Sequence, residues 1–364
     1  MLFNRGNKNN GEINQDENKG EQKNSNSENL LSIDRRSLFK RTGQSLAALM
    51  AAGMFNFDFS TSQAEAAEGD ISEKLIILHT NDMHGRIEED RENDVMGMAY
   101  LKTIIDDFRE NYDNVMLLDA GDTFHGTSVA NTLDGRPVME TMNLIDYDVM
   151  TAGNHDFNFG YERMLELMDE LTAETVSANV VKDGDLLLPP YTIKEIAGQK
   201  IAILGLATPA TTFTTHPDNI VGIEFPEILE TTQRYVDEIR SQYDPDLLIT
   251  LGHVGYGANN PDDKDFTTTN YMLQNHVDGI DIFVDGHSHT RIAEGDWHDG
   301  TLVVQAYEYL KKLGVVEVDF SGDEPTFQAH LISSDDAFNN YEPDSEMEEL
   351  LSELRDEAAD EFLL

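Results

Sequence analysis

The stretch Leu75-Ile76-Ile77-Leu78-His79-Thr80-Asn81-Asp82-Met83-His84 joins an uninterrupted apolar run to two side chains that can bind a metal ion. A continuous apolar run of this kind is typical of a β-strand that is buried on both faces. Asp82 and His84 follow at the point where the chain would leave the end of that strand. The stretch therefore predicts an α/β fold in which strand ends carry metal ligands.

Four further motifs repeat this arrangement along the chain. They are Gly121-Asp122, Gly153-Asn154-His155-Asp156, Gly252-His253 and Gly286-His287-Ser288-His289. With the first motif they supply two carboxylates, one amide and four histidines as candidate metal ligands, and His155 is left over. Such a set can hold two divalent cations around a shared carboxylate, and Asp122, which stands alone on its turn, is the expected bridging ligand.

The remaining pattern predicts two kinds of sheet segment. Apolar runs that indicate buried strands cover 115–118, 201–204, 247–249 and 282–284, and apolar residues recur at helical spacing within 100–108, 164–171 and 228–239. In the last third, strands joined by short turns are predicted at 301–306, 314–320 and 326–332. Parallel units followed by antiparallel strands favour an α/β fold with mixed sheets, a two-sheet αββα sandwich, over a single doubly wound sheet.

The charge of the chain is strongly negative and unevenly placed. The sequence has 25 Lys and Arg against 70 Asp and Glu, and residues 1–66 are neutral, so the whole net charge of −45 falls on the rest. Such a surface repels itself in dilute buffer, whereas salt of about 1 M shortens the Debye length to about 3 Å. We therefore expect a halophilic protein working in high external salt, the alternative being a merely very soluble one. Nucleic acid polymers are not expected partners.

Residues 1–66 predict a leader. Residues 4–29 are almost free of apolar side chains, which indicates disorder. Arg35-Arg36, a weakly apolar stretch at 46–57 and Ala64-Glu65-Ala66 then supply the three parts of an export signal, and the arginine pair resembles a twin-arginine (Tat) signal. The apolar part is too short for a stable membrane span. We therefore expect an exported protein, found at the cell surface, in the periplasm or outside the cell.

The types of candidate ligand restrict the metals. Imidazole suits Zn, Fe, Co and Ni, and carboxylate oxygens also suit Mn. The chain has no cysteine, which excludes a thiolate site and a disulfide framework. The expected cofactors are therefore two divalent metal ions, which could be Zn, Mn, Fe, Co or Ni. Two such ions can acidify a bridging water and hold both the attacking and the leaving oxygen, which favours hydrolysis of a phosphate ester.

Three of the quoted segments resemble one known family. Leu78-His79-Thr80-Asn81-Asp82-Met83-His84-Gly85-Arg86, Gly153-Asn154-His155-Asp156-Phe157-Asn158 and Gly286-His287-Ser288-His289 are similar to the secreted 5'-nucleotidases, which belong to the calcineurin-like metallophosphoesterases. The resemblance implies a first metal held by Asp82, His84, Asp122 and His289. It implies a second metal held by Asp122, Asn154, His253 and His287.

The same resemblance implies the catalytic residues. His155 would lie beside the phosphate and stabilise the transition state or assist the leaving group, while a metal-bound hydroxide attacks in line. Many members have an acidic residue three positions after this histidine, where this chain has Asn158. Asp156 is the nearest carboxylate in sequence, so His155, Asp156 and Asn158 are together the candidate catalytic residues. Among the other histidines, His125 is the best candidate for a role, because it lies three residues after Asp122.

The resemblance implies a small phosphate-ester substrate, and a nucleotide monoester as in nucleotide catabolism is the leading expectation. Related hydrolases leave alternatives open: a 2',3'-cyclic-nucleotide phosphodiesterase, a UDP-sugar hydrolase or a thiosulfohydrolase-like enzyme. A metal- or nucleotide-binding surface protein is the non-enzymatic alternative. The expected organisation is a leader at 1–66, a metallophosphoesterase catalytic domain at 67–334 and an acidic C-terminal helix or tail at 335–364. That helix, predicted at about 344–360, has an apolar stripe that favours packing on the domain over docking of a partner.

Overall fold

Two mixed six-stranded sheets lie face to face at the centre of the structure. The computed structural model describes residues 74–257, 267–275 and 277–362, and the predicted leader lies outside them. The strands are, in chain order, β1 (Lys74–Thr80), β2 (Val115–Asp119), β3 (Val149–Thr151), β4 (Glu174–Val176), β5 (Val181–Lys182), β6 (Asp185–Leu186), β7 (Tyr191–Ile196), β8 (Gln199–Ala207), β9 (Ile223–Glu224), β10 (Leu247–His253), β11 (Ile282–Asp285), β12 (Asp296–His298), β13 (Thr301–Val304), β14 (Lys312–Asp319) and β15 (Thr326–Ser333).

The helices cover the outer faces of these sheets. They are α1 (Gly97–Asn111), α2 (Ser128–Thr132), α3 (Arg136–Ile145), α4 (Tyr161–Glu170), α5 (Thr211–Thr214), α6 (Ile228–Tyr243), α7 (Thr269–Asn275), α8 (Ser334–Asn340) and α9 (Ser345–Phe362), with short 3-10 turns at His155–Phe159 and Pro217–Ile220. None of the helices within the described ranges combines the length and apolar character needed to cross a membrane.

Each large sheet has a parallel centre; the second sheet has an antiparallel strand at both edges, and the first has antiparallel pairing at one edge only. The first sheet has the order β15-β14-β1-β2-β3-β4, in which β1 to β4 are parallel and β14 and β15 are antiparallel. The second has the order β12-β13-β11-β10-β8-β7, in which β8, β10, β11 and β13 are parallel. A small third sheet contains β6, β5 and β9. The predicted mixed sheets are therefore confirmed.

Alternation along β1 shows how the layers are built. Leu75 and Ile77 belong to the apolar core between the two large sheets, whereas Ile76 and Leu78 belong to the core that the first sheet shares with its helices. Successive strand residues point to opposite faces, so a strand covered on both sides needs apolar residues throughout. A third core lies between the second sheet and α6 and α7. These three cores confirm the αββα sandwich.

The chain changes sheets in its last third, which the sequence pattern did not indicate. The segment 301–306 was predicted to join the following strands in one antiparallel set. Instead β13 pairs in parallel with β11 in the second sheet, and β14 pairs with β1 in the first. All four residues of β13 are buried, as a strand inside the sandwich requires. The connection at 305–311 consequently passes the carboxyl ends of the central strands, where the predicted metal ligands lie.

The C-terminal segment forms two helices where the sequence predicted one. Ser333 begins α8 through a capping box, in which its hydroxyl accepts from the Asp336 N–H and the Asp336 carboxylate accepts from the Ser333 N–H. The longer α9 buries Met347, Leu351 and Leu354. The apolar stripe of this helix thus packs on the domain.

Candidate metal centre

The seven predicted metal ligands stand at or just after the carboxyl ends of strands from both large sheets. Asp82 and His84 follow β1, Asp122 follows β2 and Asn154 follows β3. From the second sheet, His253 ends β10, while His287 and His289 follow β11. Because the parallel strands of an α/β sheet end at the same edge, ligands placed after them meet in one crevice. The site is therefore shared between the two sheets of the sandwich.

The first group of ligands contains Asp82, His84 and His289. Their ligand atoms all lie within 4.8 Å of one another. His84 Nε2 is 3.2 Å from His289 Nε2, and His289 Nε2 is 3.3 Å from Asp82 Oδ1. Two imidazole nitrogens and a carboxylate oxygen that converge in this way are a donor set for a borderline divalent cation.

The second group contains Asp122, His253 and His287, whose ligand atoms also lie within 4.8 Å of one another. His253 Nε2 is 3.1 Å from Asp122 Oδ2. The same carboxylate oxygen is 3.7 Å from Nε2 of His84, which belongs to the first group. Asp122 thus lies between the two groups, in the position predicted for a bridging ligand.

Two buried polar atoms test whether a metal pair fits these residues. Nε2 of His253 and Oδ1 of Asn154 are buried and have no hydrogen-bond partner among the described residues. The Nδ1–H of His253 donates to the Ala120 carbonyl at 2.8 Å, so Nε2 is the ring nitrogen that can bind a metal ion once it has lost its proton. Burying such atoms without a partner is costly, and a cation between them would satisfy both. The donor set therefore fits two divalent ions.

Burial and neighbouring charges set the protonation states of the candidate ligands. Burial lowers the pKa of His84 and of His287 to about 4, so both rings are neutral at neutral pH and have a free lone pair. Burial opposes ionisation of Asp122, but the adjacent His253 outweighs it and holds the pKa of that carboxyl well below its usual range. Burial lowers the pKa of His253, but the Asp122 carboxylate outweighs it and raises that pKa to about 10, so this ring must release a proton when a metal ion binds.

Glycines allow the ligand loops to touch backbone to backbone. A Cβ atom on Gly153 would lie 2.3 Å from the N and Oδ1 atoms of Asp122. A Cβ atom on Gly286 would lie 2.7 Å from Nδ1 of His253. Any side chain at either position would force the bridging residue or its neighbouring imidazole to move. These close approaches explain why glycine precedes the ligand motifs.

Asp156, a predicted catalytic residue, uses its carboxylate to hold backbone N–H groups of two loops. Its buried carboxylate accepts backbone N–H groups of Gly153, Asp122, Thr123 and Phe124 at 2.8 to 3.0 Å. Although Asp156 is next to His155 in the sequence, the direction of its side chain determines which groups it can bond to. Asp156 therefore ties the loop after β2 to the loop after β3 and acts as a positioning residue.

Asp285 has the same function in the second sheet, although the sequence analysis did not single it out. Its buried carboxylate accepts from the N–H groups of Val254, Gly255 and Gly286 and from the hydroxyl of Thr269. These bonds join the loop after β10 to the loop after β11. The only sequence signal was its place at the end of an apolar run.

Asn158, in contrast, contacts His155 as expected. Its Nδ2 atom lies 2.8 Å from His155 Nδ1. The His155 ring stands edge-on to the ring of the ligand His84, with 5.1 Å between centroids. The backbone N–H of His155 also donates to Asp122 Oδ1 at 2.7 Å. His155 is thus fixed beside the metal ligands through both its ring and its backbone.

Two residues that support the first group were missed by sequence reasoning. Nδ1–H of His289 donates to the Glu308 carboxylate at 2.6 Å, which leaves Nε2 facing the ligand group. The Asn81 amide donates to Asp82 Oδ2 at 2.7 Å and accepts the Ala306 N–H at 2.7 Å. Glu308 and Ala306 lie on the connection between the sheets, and nothing in the sequence pattern placed that connection here.

Comparison with known proteins relates the segment that carries the candidate ligands to one family. The sequence profile of the calcineurin-like phosphoesterases matches residues 75–291. A 5'-nucleotidase of Vibrio cholerae is 32% identical over 294 residues, which are 73% of this chain and 52% of that protein. The chain thus spans about half the length of the relatives it matches.

Solved structures support the same fold. A putative 5'-nucleotidase from Staphylococcus aureus superimposes with a TM-score of 0.68 at 22% identity, over 78% of this chain and 58% of that one. The calcineurin-like phosphoesterase YfkN from Bacillus subtilis gives a TM-score of 0.68 at 21% identity, over 78% of this chain and 97% of that one. Profile, relatives and fold agree, and the chain belongs to the calcineurin-like phosphoesterase family.

Proposed function

We propose that this chain is a two-metal hydrolase of phosphate monoesters, with nucleotides as its substrates. The observation that carries the proposal is the position of Asp122 between two groups of ligands, because a shared carboxylate is what a metal pair requires. The Vibrio cholerae relative, of which the chain covers about half, is named a 5'-nucleotidase, which supports the substrate class.

In the proposed site each ion has four ligands. Asp82, His84, Asp122 and His289 would hold the first ion, and Asp122, Asn154, His253 and His287 the second. When bound, such ions lower the pKa of a water molecule and take up negative charge on the phosphoryl oxygens. The chain supplies rigidity: strands of two sheets fix the ligands, and the Asp156 and Asp285 carboxylates hold the loops that bear them.

His155 is the proposed contact for the reacting phosphate. Its ring stands beside His84 and is oriented by Asn158. An N–H donor fixed at this place can stabilise charge that develops on a phosphoryl or leaving-group oxygen. Since the donor is held before the substrate arrives, little reorganisation is needed at the moment of reaction.

One observation favours a second candidate, a cyclic-nucleotide phosphodiesterase. The group on His155 Nδ1 is the Asn158 amide and not a carboxylate, and an amide stabilises a positively charged ring less well. A phosphodiester carries less negative charge than a monoester, so it needs less positive charge from its surroundings. A 2',3'-cyclic nucleotide therefore belongs beside AMP in any substrate panel.

The test of the proposed function is His155→Ala. Hydrolysis of AMP, a 2',3'-cyclic nucleotide and an aryl phosphate is measured in molar salt with Mn or Zn supplied. We expect turnover of the best substrate to fall by about 10²- to 10⁴-fold, as for loss of a catalytic proton donor, while metal content stays unchanged. His330→Ala, an exposed histidine on β15, is the control and should keep full activity. Undiminished turnover in His155→Ala would contradict the assignment.

The proposal extends to export and organisation. Residues 1–66 would direct export, 67–334 would form the catalytic domain and 335–364 would complete it with an acidic helix. The match of the family profile to residues 75–291 supports the central segment. Mass spectrometry of the protein recovered outside the cytoplasm should give an N-terminus near Ala66, and recovery of the unprocessed chain would count against the leader.

A further inference from the structure

A second histidine lies against His155 in the candidate site. The ring of His125, on the loop after β2, is stacked parallel to the ring of His155, with 6.0 Å between centroids and 7° between planes. On another side, Phe159 packs edge-on against His125 at 5.3 Å. The His125 ring thus contacts the Phe159 ring as well as the ring of the proposed catalytic residue His155.

One amide group connects these two rings. Nδ2 of Asn158 lies 2.8 Å from Nδ1 of His155 and 3.0 Å from Nδ1 of His125. An amide nitrogen has two hydrogens, so it can donate one to each ring. Both Nδ1 atoms then act as acceptors, and both rings carry their proton on Nε2. The backbone at Asn158 is held as well, because its main-chain carbonyl accepts from the side-chain amide of Asn219 at 2.7 Å.

The Asn158 amide is a hydrogen-bond donor, and Nδ1 of the neutral His125 ring is an acceptor for it. A carboxylate at position 158 could only accept, so it would require the proton of each ring to be on Nδ1. The amide donates to both and selects the opposite tautomer. Burial lowers the pKa of His125, which favours the neutral ring that can accept a hydrogen bond. Asn158 and His125 together therefore define which nitrogen of His155 carries the proton.

We propose that His125 is a positioning residue, which acts through the Asn158 amide to fix the His155 ring with its proton on Nε2. The inference rests on the proposed function in one respect, that His155 Nε2–H serves the reacting phosphate. The link between the three side chains stands on their hydrogen-bonding geometry alone. His125 need not touch the substrate to affect the rate, because a donor that is slightly misplaced loses much of its effect.

The kinetics of the metal-loaded enzyme test whether His125 acts on His155 through Asn158. His125→Ala, Asn158→Ala and the double variant are compared on AMP and on p-nitrophenyl phosphate, which has the better leaving group. We expect each single variant to lower kcat on AMP by roughly 10-fold with little change in KM, and to affect the aryl ester less. The double variant should lose no more than either single one, since both break the same link. His125→Gln, whose amide oxygen can accept from Asn158, should recover most of the rate.

Two kinetic outcomes would overturn the inference. Losses that multiply in the double variant would mean that the two side chains act independently. A rise in KM without a fall in kcat would mean that His125 contacts the substrate itself. His330→Ala is again the matched control, and its kinetic constants should equal those of the unaltered enzyme.

A spectroscopic measurement separates this inference from the proposed function. The imidazole ¹⁵N shifts of His155 in the zinc-loaded protein report which ring nitrogen carries the proton, whether or not any phosphate ester is hydrolysed. We expect the Nε2–H form in the unaltered chain and in His330→Ala, and a mixture of tautomers in Asn158→Ala and in His125→Ala. A His155 spectrum that does not change in His125→Ala would refute the positioning role. An inactive protein with the expected spectra would refute the proposed function alone.

Discussion

At the scale of single residues, the proposed ligands have an unusual backbone. Five of the seven adopt a positive φ angle: Asp82 at 49°, His84 at 48°, Asp122 at 58°, His287 at 74° and His289 at 49°. Residues other than glycine avoid this region, at a cost of about 1 to 3 kcal/mol each. Bonds between loops offset that cost, such as His84 N–H to the Asp122 carbonyl at 2.9 Å. Local propensity could not predict these turns, because tertiary contacts impose them.

The identities of the ligands were predictable, whereas their supports were not. Asp82 and Asp122 each stand a few residues after an apolar run, at the expected end of a strand, and that position marks them. Glu308 is separated from His289 by 19 residues and reaches it only because the chain changes sheets in between. Residues that orient a ligand from another element leave no spacing pattern, so a single sequence gives no sign of them.

Glu308 provides a prediction at this scale. Because its carboxylate accepts the Nδ1 proton of His289 and so aligns Nε2, Glu308→Gln should weaken metal binding by roughly 10- to 100-fold. Zinc affinity measured by chelator competition checks this. Glu317→Gln, which removes the surface ion pair with Lys74, is the control and should bind zinc normally. Equal affinity in the two variants would show that Glu308 does not support the site.

At the scale of elements, the long strands and helices followed the sequence pattern and the short ones did not. Strands β1, β2, β8, β10 and β11 coincide with the predicted apolar runs, and α1, α4 and α6 with the predicted helical spacing. Strands of two or three residues, such as β3, β5 and β9, are too short to show any period. Their existence depends on pairing with partners that are distant in the sequence, as β5 pairs with β9.

The C-terminal helix gives a prediction for an element. Leu351 on α9 is 7% exposed and belongs to the apolar core shared with α1 and α3. Leu351→Ala should therefore lower the free energy of unfolding by about 2 to 4 kcal/mol, measured by urea denaturation in molar salt. Ser352→Ala, at the exposed neighbouring position, should change it by less than about 0.5 kcal/mol. If both variants unfold alike, the stripe of α9 contributes little to the domain and is free to dock a partner.

At the scale of the whole molecule, the sandwich and the charge have separate origins. The fold follows from strands that are apolar on both faces, and the ligand loops follow from their shared direction. The net charge of −45 is not needed for either. It falls on the surface of the domain, where like charges raise the free energy of the compact state unless counterions screen them.

Salt dependence is the prediction at this scale. Raising KCl from a dilute buffer to about 1 M or more should raise the melting temperature, because screening relieves repulsion among the excess carboxylates. Differential scanning calorimetry on metal-loaded protein at fixed pH measures the effect. An equal concentration of a neutral osmolyte is the control for a general solvent effect. A melting temperature that is constant or falls with salt would reject the proposed adaptation.

The central claim is that the seven ligands hold a pair of ions through Asp122, and metal content tests it most directly. Zinc per chain is determined by mass spectrometry of metals after loading and removal of excess ion, in the unaltered protein and in Asp122→Asn. We expect about two ions per chain in the former and a marked loss of both in the latter, because one carboxylate serves both groups. One ion or fewer in the unaltered protein, or two ions retained in Asp122→Asn, would contradict the account.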